Sequence, residues 1–139
     1  MVGGQVLDMQ SETRQCTAQE VIDIQSRKTG ALIRAACLLG VVAGDGTEEQ
    51  FIAADKFATN LGLAFQIRDD MLDVIGDPNE MGKATGVDGE KNTFVHLFGL
   101  DRCEKMVKEH TDLAIEALDD FADTAFMVKL SHYLTGRTN

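Results

Sequence analysis

The sequence predicts an all-α fold. Apolar residues recur at helical spacing, whereas Val, Ile, Thr and the aromatic residues form no short alternating runs typical of strands. The Asp-Gly pairs at 45–46 and 88–89 lie in polar stretches between helical segments, so neither indicates a hairpin. The chain has 139 residues, 44% hydrophobic and 26% charged. These values predict one folded domain that is neither disordered nor a membrane span.

The first predicted helix begins at Ala18, because Thr17-Ala-Gln-Glu20 has the form of a capping box. It extends to about Val42, where Gly44-Asp45-Gly46 follows and ends it. Nearly every residue from 31 to 42 is apolar, so we expect this half of the helix to be buried on all sides.

A long second helix is predicted from Thr47 to about Ile75 and ends at Gly76-Asp77-Pro78, because proline lacks an amide donor. Residues 76–91 are expected to form a glycine-rich loop with two lysines. Further helices are predicted over 93–100, 101–118 and 123–134, with a frayed tail from residue 136.

One sector of the second helix is acidic. At about 100° per residue, Asp69, Asp73, Gln66 and Asp70 fall within about a quarter of the helix circumference. Carboxylates four residues apart repel by roughly a few tenths of a kcal/mol. Hard divalent cations such as Mg²⁺ bind carboxylate oxygens together with substrate phosphates and would relieve this repulsion.

Two features favour a binding face over the alternative, a solvated acidic surface. No lysine shares the sector, and Arg68 points elsewhere on the helical wheel. Gly62 lies upstream on the same stripe, where it weakens the helix by about 1 kcal/mol relative to Ala and could clear space for a ligand.

Several basic residues could meet a phosphate. Lys28 and Thr29 lie in the first helix, just before its apolar half. Lys83 and Lys91 flank the glycine-rich loop, which could close over a phosphate as a lid. Neither GxxxxGK[ST] nor GxGxxG occurs, which excludes the common nucleotide-binding loops.

The net charge and the cysteine content indicate which classes of binding partner and which cellular compartment to expect. Thirteen basic against 23 acidic residues give a net charge of −10, which disfavours nucleic acid and anionic membranes. The three cysteines are widely spaced and match no zinc pattern. Free thiols and an amino terminus without a basic leader predict a cytoplasmic protein without a membrane anchor.

The segment Phe65-Gln-Ile-Arg-Asp-Asp-Met-Leu-Asp73 resembles the second aspartate-rich motif of the trans-prenyl diphosphate synthases of the farnesyl and geranylgeranyl type. Other matching residues occur in family order and at nearly family spacing: Gly3-Gly4-Gln5 with Asp8, Lys28-Thr29-Gly30, Gly82-Lys83 and Lys91-Asn-Thr93. The similarity is strong to about Leu100 and looser beyond it.

The resemblance implies an isoprenoid synthase helical bundle around a deep pocket, with Mg²⁺ as cofactor. Its substrates would be an allylic diphosphate, which ionises, and isopentenyl diphosphate, whose double bond attacks the resulting cation. Asp69 and Asp73 would be Mg²⁺ ligands, with Asp70 in support. The remaining carried-over residues are Lys28 and Lys83 at the leaving diphosphate, Thr29 and Gln66 near the cation, and Lys91 and Gln5 as weaker substrate-binding candidates.

The sequence departs from the family in one large respect. The family also needs a first DDxxD motif on an earlier helix, and no DDxxD precedes the one at 69–73. A second DDxxD string, at 119–123, lies downstream with no lysine-bearing loop after it, and we expect it to be a surface helix junction. Residues 1–139 are therefore expected to be the carboxyl-terminal half of one all-α synthase domain, beginning inside a helix and inactive alone. The alternative is a non-catalytic helical interaction module. In either case exposed apolar faces predict self-association, as a homodimer or larger.

Overall fold

The computed structural model describes residues 2–11, 14–76, 92–119 and 121–137, and within these ranges all regular structure is helical. The helices are α1 (Val2–Ser11), α2 (Ala18–Gln25), α3 (Ala31–Ala43), α4 (Glu48–Gly76), α5 (Phe94–Phe98), α6 (Leu100–Glu116) and α7 (Ala125–Thr135). A π-helical turn, Ser26–Gly30, joins α2 to α3. The predicted all-α class is confirmed, and the predicted loop lies outside the described residues from position 77 to 91.

The 29-residue helix α4 is the central element, and its predicted ends are confirmed to within one residue. It packs against α3, α5, α6, α7 and the π turn. Its apolar side contributes to two cores. Ile67 and Met71 pack with residues of α2, α5 and α6, whereas Phe57, Ala58 and Leu61 pack with the carboxyl-terminal end of α6.

The capping box at the start of α2 forms as predicted. The Thr17 hydroxyl accepts a hydrogen bond from the Glu20 amide at 3.3 Å, and the Thr17 amide donates to the Glu20 carboxylate at 2.8 Å. Helical backbone angles continue through Ser26 and Ala31, so α2, the π turn and α3 form one continuous rod. The sequence predicted this rod but not the wider turn within it.

The expectation that residues 31–42 are buried on all sides is wrong for this chain. No residue of α3 is buried. Leu32, Leu39 and Val42 are 59%, 67% and 61% exposed. Helix α3 packs mainly on α4 and the π turn, so much of its apolar surface lacks a partner within the described residues.

The short predicted helix before α6 is present and ends early, because Gly99 takes φ +76° and breaks it from α6. Asn92, just before this helix, ties it to the segment between α1 and α2. Its side-chain oxygen accepts from the Cys16 amide at 2.8 Å, and its nitrogen donates to the carbonyls of Ser11 and Arg14 at 2.7 and 2.9 Å.

Among the described helices, none combines the length and the hydropathy needed to span a bilayer.

Candidate functional site

The acidic sector of α4 contains both exposed and buried carboxylates. The side chain of Asp69 is 45% exposed, and Asp73, one turn later, is also exposed. Asp70 is only 7% exposed, because the 100° step from Asp69 turns its side chain towards α5. Asp69 and Asp73 are therefore the carboxylates whose oxygens are available to a ligand.

Asp70 has both oxygens engaged inside the protein. One oxygen accepts a hydrogen bond from the Phe94 amide at 2.9 Å, and the other accepts from the Gln66 side chain at 3.2 Å. Burial raises the pKa of Asp70 to about 6. The two hydrogen bonds act in the opposite direction, and the charges of Asp73 and Asp69 add to the rise. Asp70 thus fastens the start of α5 to α4.

Asp69 forms an ion pair that the sequence did not predict. An Arg137 guanidinium nitrogen lies 2.5 Å from an Asp69 oxygen. The guanidinium carbon also lies 4.2 Å from the centre of the Phe65 ring, within the range of a cation–π contact. The helical wheel of α4 could not reveal this pair, because its two residues are 68 positions apart in the sequence.

Lys28 lies in the π turn and also has an internal partner. Its ammonium nitrogen is 2.7 Å from an Asp8 carboxylate oxygen on α1, and both side chains are partly exposed. Gly4 allows α1 to come this close. A Cβ at Gly4 would lie 2.5 Å from backbone atoms of Arg27 and Lys28, which no side chain could accept.

The π turn meets α4 at Gly62. A Cβ on Gly62 would lie 3.2 Å from the Cα of Gly30, so the missing side chain admits a neighbouring helix. Gly62 therefore has a packing role, and the expectation that it clears space for a ligand stays a prediction. Gly62 precedes Asp69 by seven residues, or about 10 Å along the helix axis. Lys28 and Asp69 consequently lie on two helical segments, the π turn and α4, that pack against each other.

The other predicted site residues are spread over α1, the π turn, α4 and the part of the chain that the structure does not describe. Thr29 is half-buried in the π turn beside Lys28, and Gln5 is exposed on α1. Gln66 contacts Asp70 as described above. Lys83 and Lys91 lie outside the described residues. Within the part of the chain that the structure covers, no hydrogen bond or ion pair joins Lys28 to Asp69 or Asp73.

The donor chemistry of the exposed sector fits a hard divalent cation. Asp69 and Asp73 offer carboxylate oxygens one helical turn apart, and the Asp69 oxygen already attracts a cationic group, that of Arg137. No cluster of three or more His, Cys, Asp or Glu side chains with metal-binding geometry occurs among the described residues. A cation here would therefore take its remaining ligands from water or from a bound phosphate.

Comparisons with known proteins agree with these observations. The profile of a family described as Polyprenyl synthetase matches residues 1–130. The farnesyl diphosphate synthase of Escherichia coli (strain K12) is 39% identical over 144 residues, covering 99% of this chain and 48% of that protein. This chain thus spans about half the length of the curated relatives it matches.

Two solved structures show the same helical arrangement. An FPP/GFPP synthase from Zymomonas mobilis aligns with a TM-score of 0.83 at 30% identity, covering 96% of this chain and 45% of that one. A geranyltransferase from Helicobacter pylori, complexed with magnesium and isoprenyl diphosphate, aligns with a TM-score of 0.74 at 32% identity, covering 98% and 46%. The predicted helical bundle is confirmed by these matches.

Proposed function

The chain belongs to the polyprenyl synthetase family, and on this premise we propose that it forms the carboxyl-terminal part of a prenyl transfer site. The reaction would join isopentenyl diphosphate to an allylic diphosphate. The observation that carries the proposal is the packing of the Lys28–Gly30 segment against α4, the helix that bears Asp69 and Asp73. A multiply charged anion such as diphosphate requires cationic groups and metal ligands in one region.

Each residue has a proposed role in handling the diphosphate. Asp69 and Asp73 would hold Mg²⁺, which when bound would supply positive charge that stabilises the departing diphosphate. Lys28 would exchange its contact with Asp8 for a diphosphate oxygen and contribute a further positive charge. Thr29 and Gln66 would present oxygens to the electron-poor carbon skeleton, with Gln5, Lys83 and Lys91 as further substrate contacts.

Asp70 has a narrower proposed role than the sequence suggested. Its two oxygens already accept hydrogen bonds from Phe94 and Gln66, and it is almost fully buried. We propose that it supports the metal-binding face by fixing Gln66 and the start of α5, with Asp69 and Asp73 providing the metal contacts.

The 139-residue chain is proposed to bind substrate diphosphate without turning it over. The family resemblance calls for a second aspartate-rich motif upstream of the one at 69–73, and residues 1–68 contain none. We expect no product when the chain is incubated with geranyl diphosphate, isopentenyl diphosphate and Mg²⁺. Robust turnover by this chain would contradict the need for a second metal-binding motif.

Calorimetry tests the binding part of the proposal. Geranyl diphosphate should bind only when Mg²⁺ is present, and Asp69→Asn should abolish that binding. Asp112→Asn is a matched control, because Asp112 is an exposed α6 residue that pairs with Lys108. If geranyl diphosphate fails to bind, or binds equally to the Asp69 variant, the proposed site is wrong.

The alternative of a non-catalytic interaction module is not favoured, because the matched relatives are named as synthases. Self-association is compatible with either function. We propose that a second copy covers the exposed apolar surface of α3 in a homodimer. A cytoplasmic location also remains a proposal, supported by the free thiols of Cys16, Cys37 and Cys103.

A further inference from the structure

Arg137 makes three interactions that together hold the end of the described chain on the acidic sector. Its guanidinium pairs with Asp69 and lies over the ring of Phe65. Its backbone carbonyl accepts a hydrogen bond from Arg68 Nε at 2.8 Å. Arg68 is mostly buried and is itself held by Glu104 of α6 at 2.9 Å. The main chain at residue 137 is therefore fastened independently of its own side chain.

The guanidinium group of Arg137 is not fully hydrogen-bonded, whereas its backbone carbonyl has a partner. Arg137 Nε is buried and has no hydrogen-bond partner within the described residues. A buried donor without a partner loses the hydration that it would have in water, which offsets part of the gain from the ion pair. Asp69 is nearly half exposed, so the pair is also weakened by solvent. The side chain can thus leave Asp69 at modest cost while the backbone stays attached.

We propose that Arg137 is an internal counter-ion that competes with a divalent cation for Asp69. The inference rests on the proposed function, because it takes Asp69 as a cation ligand. In the cation-free protein, Arg137 neutralises Asp69 and reduces its repulsion with Asp73. When a divalent cation binds, the guanidinium is displaced and moves off Phe65, while the Arg68 contact keeps it beside the site. Binding of the cation and release of the Arg137 side chain are then one linked equilibrium.

The effect of Arg137 on the cation affinity of the site can be estimated. Exposed ion pairs change an equilibrium by no more than about five-fold, and an occupied counter-ion site lowers apparent cation affinity by a comparable factor. Removing the guanidinium should therefore tighten Mg²⁺ binding by about three- to five-fold. A purely structural role for Arg137 predicts the opposite, since loosening the end of α7 next to Phe65 would leave cation affinity unchanged or weaker.

The test is an NMR titration of the 139-residue chain with MgCl2 at constant ionic strength. Backbone amides of residues 68–73 report cation binding, and the Arg137 Nε–H resonance reports the position of the guanidinium. Arg137→Gln should reach half-saturation at about three- to five-fold lower Mg²⁺ than the unmodified chain. Arg102→Gln, which removes a guanidinium paired with Glu109 on α6, should leave the midpoint unchanged.

A second readout needs no bound metal. In Asp69→Asn without Mg²⁺, the Arg137 Nε–H resonance should already match its position in the Mg²⁺-saturated unmodified chain. The counter-ion role alone would be overturned if Arg137→Gln needed as much Mg²⁺ for half-saturation as the unmodified chain, or more. It would also be overturned if the Arg137 resonance changed neither with Mg²⁺ nor in Asp69→Asn. Absence of Mg²⁺ binding in every variant would overturn the counter-ion role and the proposed metal site together.

Discussion

Two neighbouring glycines of α1 should respond in opposite ways to the same substitution. A Cβ at Gly4 would lie 2.5 Å from the backbone of the π turn, whereas a Cβ at Gly3 would meet nothing within 4 Å. We expect Gly4→Ala to destabilise the protein by about 1–3 kcal/mol, as an overpacked site does. Gly3→Ala should stabilise it by up to about 1 kcal/mol, because alanine favours the helix.

Urea unfolding of the two variants measures this difference. The Gly4 change should also separate α1 from the π turn and weaken the Lys28–Asp8 pair, which is 2.7 Å long in the unmodified chain. Equal midpoints for the two alanine variants would show that α1 does not pack on the π turn as described.

Glu20 provides a pH-dependent test of the α2 capping box. Its pKa is lowered from 4.5 to about 2, first by the hydrogen bond from Arg14 and then by those from the Thr17 amide and hydroxyl. Because the folded pKa is depressed, the stabilising contribution is complete above the unfolded pKa. It is lost as pH falls through the folded value.

NMR titration of the Glu20 carboxyl should therefore give a midpoint near 2. Arg14→Gln and Thr17→Ala should each raise it towards the ordinary value, whereas Arg102→Gln, on α6, should not. A midpoint near 4.5 in the unmodified chain would contradict the capping geometry.

At the scale of elements, the contact between α4 and α5 depends on Asp70. Asp70→Ala would leave the Phe94 amide buried without an acceptor, so we expect a loss of about 1–3 kcal/mol and faster hydrogen exchange at Phe94. The adjacent change Asp69→Ala is the matched control. It removes an exposed ion pair and should cost no more than about 1 kcal/mol. Similar losses in the two variants would mean that Asp70 does not anchor α5.

Helix bounds were predictable because their signals are local. The capping box at Thr17 and the stop at Gly76-Asp77-Pro78 each act within a few residues. Helix α2 begins where the capping box indicates, and α4 ends at the stop signal. The helical wheel likewise grouped Asp69, Asp70 and Asp73 in one sector. It could not indicate that α5 covers Asp70 or that Arg137 reaches Asp69, because both contacts join residues that are distant in sequence.

The apolar run of α3 shows a different limit. Its apolar composition predicted burial on all sides, but composition does not specify which surface would cover it. Within the described chain, one side of α3 packs on α4 and Leu39 remains 67% exposed. Burial on all sides would require a partner, and composition alone cannot say whether that partner lies in the same chain.

For the whole molecule, the exposed α3 surface predicts association. Sedimentation velocity should show a dimer or larger species, since a large exposed apolar patch favours self-contact. Leu39→Glu should shift the protein towards monomer by introducing a charge into that surface. Tyr133→Glu is the control, because Tyr133 is an equally exposed residue of α7. A monomeric unmodified chain would contradict the proposed homodimer.

The central claim is that Asp69 and Asp73 form half of a metal–diphosphate site, and anomalous diffraction tests it most directly. Crystals of the chain would be grown with Mn²⁺ and inorganic diphosphate, with Mn²⁺ serving as a visible substitute for Mg²⁺. We predict an anomalous peak bonded to an Asp69 oxygen, with diphosphate beside Lys28 and the Arg137 guanidinium displaced. Density for Mn²⁺ only elsewhere, with Arg137 still paired to Asp69, would contradict the account.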